Sequence, residues 1–172
     1  MKIEEQLKEV NKVHEMIQKL LDLGADINAK LNDGTTVLML AVVWTNTFTT
    51  EKVVEILLNH PTIDVNMGKN GGVTALISAC HHSGESSTEK TVEMLLKQPE
   101  INVNAVAIDG MSALMFTCRD CKKTSTLNTI KMLVKHPGID IHMKSKNGES
   151  AITMCPKEAL DEVFEILTNK TT

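Results

Sequence analysis

The sequence predicts an all-α solenoid of stacked helix pairs with short hairpin fingers, and three matching periodicities predict it. Gly34, Gly72, Gly110 and Gly148 lie 38 residues apart, and Asn28, Asn66, Asn104 and His142 keep that spacing upstream. Pro61, Pro99 and Pro137 repeat in the same phase and leave only Pro156 outside it. Between these markers, Leu38, Leu76, Leu114 and Ile152 follow the glycines, while Leu57-Leu58, Leu95-Leu96 and Leu133-Val134 precede the prolines. A period of this size marks units that bury their apolar faces on one another rather than each in its own core.

Each unit opens on a tight hairpin, where Asp33-Gly34 or Asn147-Gly148 supplies the positive φ the turn needs. Thr36, Thr74, Ser112 and Ser150 then stand where a hydroxyl can accept from an unpaired backbone N–H, and an apolar run at helical spacing follows, as in Val37 to Val43. A Ser/Thr-rich stretch such as Ser83 to Thr88 separates this first helix from the second; its composition is that of a solvated helix-capping turn. Thr50, Thr88 and Thr126 are expected to cap the second helix, with Glu51 and Glu89 in the first turn complementing its dipole. Proline ends that helix, as at Asn59-His60-Pro61, and Ile63-Asp64-Val65-Asn66 is expected to leave extended.

The ends differ from the middle. Ile3, Leu7, Val10, Val13, Ile17, Leu20 and Leu21 step at helical spacing, so residues 2–22 are expected to form a cap of one or two helices. At the other end Thr168 replaces Leu58, Leu96 and Val134, and Pro156 falls where Cys80 and Cys118 stand, which should shorten the last first helix. Both changes suit the end of an array. The expected organisation is a single domain, 1–172, with a cap at 1–31, full repeats at 32–69, 70–107 and 108–145, and a capping repeat at 146–172.

The order Asp-Val-Asn, turn Gly, Thr-x-Leu helix, Val-x-x-Leu-Leu helix resembles the ankyrin repeat. Asp64-Val65-Asn66, Gly72-Val73-Thr74-Ala75-Leu76 and Val92-Glu93-Met94-Leu95-Leu96 make the best copy. The usual unit has about 33 residues, so five need placing. Comparing Ala41–Val53 with Cys155–Val163 puts four between the helices of the central repeats, in loops expected to lie outside the packed frame. The fifth precedes the hairpin. Against the family's Thr-Pro-Leu-His, Val37, Ala75, Ala113 and Ala151 replace proline, and Met39, Ile77, Met115 and Thr153 replace histidine, so apolar packing should stand in for a hydroxyl-to-imidazole contact. The long Ser/Thr-rich turns are also similar to ankyrin arrays of protists and of amoeba-infecting large DNA viruses. Asn28 and Asn66 sit in a context that resembles the one in which ankyrin asparagines are hydroxylated, although the amide has a structural hydrogen-bonding use there as well.

Composition narrows the function. With 172 residues, 42% of them hydrophobic and 23% charged, the chain has the make-up of one folded domain. A net charge of −4 without a basic run speaks against a phosphate backbone or an anionic membrane as partner. The longest apolar run, Val37 to Trp44, is far short of the roughly 20 residues of a membrane span. Met1 to Glu5 does not open a secretory signal, so the four cysteines are expected to be reduced thiols in a cytoplasm or nucleus, or in a host cytoplasm for a viral array.

Catalytic and metal chemistry find little support. Cys80, His81, His82, Cys118 and Cys121 offer soft ligands, yet a single Cys-x-x-Cys without a second pair does not make a closed zinc site. Cys80 and Cys118 repeat the small position of Val42 and read as core, where a thiol is inert. No cofactor, metal or catalytic residue is expected, and the Cys118/Cys121 and His81/His82 cluster remains the alternative for a metal- or thiol-dependent protein. Met39, Met94, Met115, Met132 and Met154 fall in the apolar phase of their helices and read as core too.

Function is expected at positions where the frame is kept and the residue changes. Val43-Trp44, His81-His82, Arg119-Asp120 and Lys157-Glu158 are one site type with four chemistries. The family resemblance implies that these line a concave groove, joined by the hairpin tips, of which Val106 and Ile108 carry apolar side chains with no evident core role. The expectation is a non-catalytic, monomeric interaction module or scaffold whose protein partner meets Val43, Trp44, His81, His82, Ile108, Arg119 and Asp120. Trp44 has a second possible use, covering the long first turn over Phe48.

Overall fold

The computed structural model describes residues 11–12, 15–43 and 48–169. A helical stretch at 15–22 (α1) precedes helices α2 (Val37–Val43), α3 (Phe48–Leu58), α4 (Ala75–His81), α5 (Glu89–Leu96), α6 (Ala113–Arg119), α7 (Leu127–Lys135) and α8 (Leu160–Thr168). The short helices α2, α4 and α6 stack in one row, and α3, α5, α7 and α8 in a second row behind it. Leu38, Leu76 and Leu114 from the first row meet Leu57, Leu95 and Leu133 from the second in a continuous core. Met39 and Met115 are buried in it, and Met94, Met132 and Met154 pack at its edge. Leu21 of α1 leans on this core while Met16 and Leu20 stay exposed; residues 2–10 and 13–14 of the expected cap lie outside the described residues.

Hydroxyl caps start the helices where the polar residue precedes the apolar run. Thr36, Thr74 and Ser112 accept from Met39, Ile77 and Met115 N–H, and Thr88 and Thr126 accept from Thr91 and Thr129 N–H. Two expected caps are corrected. Thr50 is inside α3, which already starts at Phe48. Ser150 caps nothing, because the chain turns through 151–155 without forming an α-helix and the Thr153 hydroxyl instead donates to Ser150 C=O. Pro156 therefore does more than shorten the last first helix: only a 3-10 turn, Lys157–Ala159, precedes α8.

Three ladders of polar contacts join successive repeats. At the fingers, Asn70, Ile108 and Lys146 N–H donate to Asp33, Gly71 and Asp109 C=O at 2.8, 2.6 and 2.9 Å. This approach is why Gly34, Gly72 and Gly110 are glycines: Gly72 has φ 79°, and a Cβ there would sit 2.8 Å from Val106 O. At the base of the hairpins, Asn28, Asn66 and Asn104 each bridge to the next unit. Their Nδ2 groups donate to Thr62, Glu100 and Gly138 C=O, and their Oδ1 atoms accept from Asp64, Asn102 and Asp140 N–H. Along the second row, the Thr88 and Thr126 hydroxyls donate to Glu51 and Glu89 one repeat back, so these acids serve the neighbouring cap. The segment after each proline is extended for two residues only, since Asp64 Oδ1 accepts from Asn66 N–H and folds the chain into a short turn.

Two of the inserted inter-helix turns, those after α4 and α6, are packed, which corrects for them the expectation that the insertions lie outside the frame; the turn after α2, at 44–47, lies outside the described residues. Ser83, Ser87 and Ser125 are buried. Ser83 and Ser125 hydroxyls both reach Cys80 C=O, at 3.1 and 2.8 Å, and Thr129 Oγ1 donates to Ser83 Oγ. Gly84 N–H donates to Thr124 C=O in the next turn. A serine-rich stretch thus has the composition of a solvated loop and the role of a polar core, because its hydroxyls converge on the Cys80 carbonyl at the end of α4.

A candidate docking surface on the first-helix row

The C-terminal ends of α4 and α6 bring four of the expected residues together. His81 Nδ1 lies 2.9 Å from Asp120 Oδ2, near enough for an ion pair when the imidazole is protonated but out of line for a straight hydrogen bond. Arg119 closes on its neighbour, Nε and Nη2 reaching the Asp120 carboxylate at 3.1 and 2.7 Å. His82 packs edge-on against His81, ring centroids 4.5 Å apart.

Phe116 is the member that sequence reasoning missed. Its ring meets His81 edge-on at 5.7 Å and lies 4.8 Å beneath the Arg119 guanidinium, whose Nη1 also contacts Met111 Sδ at 3.5 Å. The signal that could have found it was its repeat position, where Leu40 and Ser78 precede it, a change of chemistry of the kind that marked Arg119. Leu40 is exposed at the same place two repeats earlier.

Electrostatics make the cluster a mixed surface. Burial works to raise the Asp120 carboxyl, but the bonds from Arg119, aided by His81, outweigh it and hold the group below its ordinary value. Partial burial, then the charge of His81, lowers the His82 imidazole, so at neutral pH it presents an uncharged ring. The surface therefore offers a clamped guanidinium–carboxylate pair between aromatic faces.

The remaining expected residues are not all in this cluster. Ile108 projects from the third finger with 72% of its surface exposed, and Val106 is also exposed. Val43, at the end of α2, is half-buried against the core. Trp44, and with it the alternative placement over Phe48, lies outside the described residues.

The thiols sit apart from this chemistry. Cys80 and Cys118 are fully buried, and burial pushes the Cys80 thiol up to about 12, with a hydrogen bond from Thr117 working the other way. Cys118 is raised further, by burial first and then by Cys155 and Cys121. Among the described residues, no three His, Cys, Asp or Glu side chains converge as metal ligands, so nothing supports the Cys118/Cys121 and His81/His82 alternative. No helix among them is long and apolar enough to cross a membrane.

Comparison with known proteins agrees with this architecture. No curated protein matches the chain. The crystal structure of EF0377, an ankyrin repeat protein, superimposes with a TM-score of 0.75 at 23% identity, covering 92% of this chain and 75% of that one, which shows a shared fold. The family model described as ankyrin repeats, three copies, matches residues 8–106, and such repeats generally serve as protein–protein interaction modules without catalytic chemistry. With that profile across more than half its length, the chain belongs to the ankyrin-repeat family.

Proposed function

We propose that this chain is a non-catalytic module or scaffold that docks a protein partner on the exposed side of the first-helix row and on the finger tips. The observation that carries this reading is the joined surface of His81, His82, Phe116, Arg119 and Asp120, built across two repeats from positions whose identity changes between repeats. A solenoid core cannot vary in this way without losing its stacking, whereas its solvent-facing positions are free to specify a partner. Ile108 and Val106 extend the surface to a finger, and Val43 extends it toward the first repeat, where Trp44 follows in sequence. Aromatic and arginine side chains are the commonest anchors of protein interfaces, and Arg119 is already held in one geometry by Asp120 and Phe116, so little side-chain freedom is lost on binding.

The test is affinity capture of the partner from the native cell, with Arg119→Ala and Trp44→Ala proteins as controls. Each substitution should weaken capture by on the order of 2 kcal/mol while the thermal midpoint stays nearly constant. Undiminished capture by the double variant would move the docking surface elsewhere.

A further inference from the structure

A second surface, behind the first, places two unpaired lysines beside an apolar depression. Between α7 and α8 the second-helix row opens into a depression of 360 Å³, lined by Val134, Pro137 and Ile166 and flanked by Lys131 and Lys135. Toward α5 it continues into a hollow of 240 Å³ that holds Leu96 and Met132 and shares Lys135. In α3 and α5 the acids at the register of Lys131, Glu55 and Glu93, neutralise lysines of their own helix: Lys52 pairs with Glu55 at 2.8 Å and Lys97 with Glu93 at 2.6 Å. In α7 the repeat frame puts Lys131 where Glu93 stands and Lys135 where Lys97 stands. Two ammonium groups then face outward one helical turn apart, and neither has an acidic partner among the described residues. Lys135 lies in the last turn, where its charge suits the helix dipole, but like charges one turn apart repel, and no acid among the described residues neutralises the pair.

We propose that this groove docks an acidic, amphipathic peptide segment of a protein partner, one aliphatic or aromatic side chain filling the depression and carboxylates on either side meeting Lys131 and Lys135. Charge complementarity supplies the argument: on a chain of net charge −4 this groove joins two unpaired lysines to an apolar floor, which suits an acidic segment with one apolar side chain. The concave floor favours an inserted side chain over a flat anionic membrane, from which the rest of this acidic protein is repelled. The surface is independent of the His81–Arg119 cluster on the other row.

A displayed library of random linear peptides, selected on the immobilised full chain, tests it. The expected outcome is enrichment of Asp and Glu around one Leu or Phe. Synthetic copies of the selected peptides should bind Lys131→Gln/Lys135→Gln protein about tenfold more weakly, Lys131→Arg/Lys135→Arg protein nearly as well as the parent, and Arg119→Ala protein unchanged. Thermal midpoints of the variants check that all are folded. Selection without acidic enrichment, or equal binding by the glutamine variant, would overturn the proposal. So would phosphatidylserine vesicles that bind through the same lysines and displace the peptides.

Discussion

The Ser83 hydroxyl stands 3.0 Å from the Ser125 hydroxyl, its repeat neighbour, and both converge on the carbonyl of Cys80. The inter-helix insertions are thereby stitched to each other through buried polar contacts. Ser125→Ala should cost about 1–3 kcal/mol in urea unfolding, because removing one partner leaves buried groups unsatisfied. Deleting four residues from Ser83 to Thr88 should cost more than the roughly 1 kcal/mol expected for shortening a free loop. A loss within that figure would show the turns to be dispensable.

Asn66 binds the next repeat with both ends of its amide, at 2.6 Å to Glu100 O and 2.7 Å from Asn102 N. Asn66→Ala should therefore lower unfolding free energy by about 1–2 kcal/mol. His142, in the same register, makes no such side-chain bridge among the described residues, and His142→Ala should change stability by less than about 0.5 kcal/mol. Equal losses at the two sites would mean that the amide bridge contributes nothing of its own.

Asp120 makes the stability contribution of its cluster pH-dependent. Its folded-state pKa lies below the ordinary 3.8, the bonds from Arg119 and the charge of His81 outweighing burial. A carboxylate depressed on folding stabilises the protein above its unfolded pKa, and that contribution is lost as pH falls through the folded value. The stability gap between the parent and Asp120→Asn should be full at neutral pH and close as pH falls below about 4. A gap of constant size down to pH of about 3 would show that the ionised carboxylate is not the source.

Burial holds the Cys80 thiol up to about 12 and raises Cys118 as well, which leaves almost no thiolate at neutral pH. Under native conditions both should react with an aromatic disulfide reagent only at the rate of unfolding, and Cys155, partly exposed, should react first. Fast modification of Cys80 or Cys118 in folded protein would contradict the packing described.

Periodicity by itself determined the array, the hairpin glycines, the order of helices and the position of most caps, because those features depend on residue type at fixed spacing along the chain. It also marked His81, His82, Arg119, Asp120 and Ile108 as variable in chemistry at constant register. Tertiary structure decided what each register position faces. Val54, Val92 and Ile130 are fully buried between repeats, yet Phe164, in the same register of α8, is 57% exposed, since no described repeat stacks beyond it. The inserted serines became polar core, and Phe116 became part of the surface cluster, through contacts with residues one repeat away. Local pattern reports which side of a helix is apolar; only stacking places a neighbour against that side, and burial, hydrogen bonding and charge follow from the neighbour.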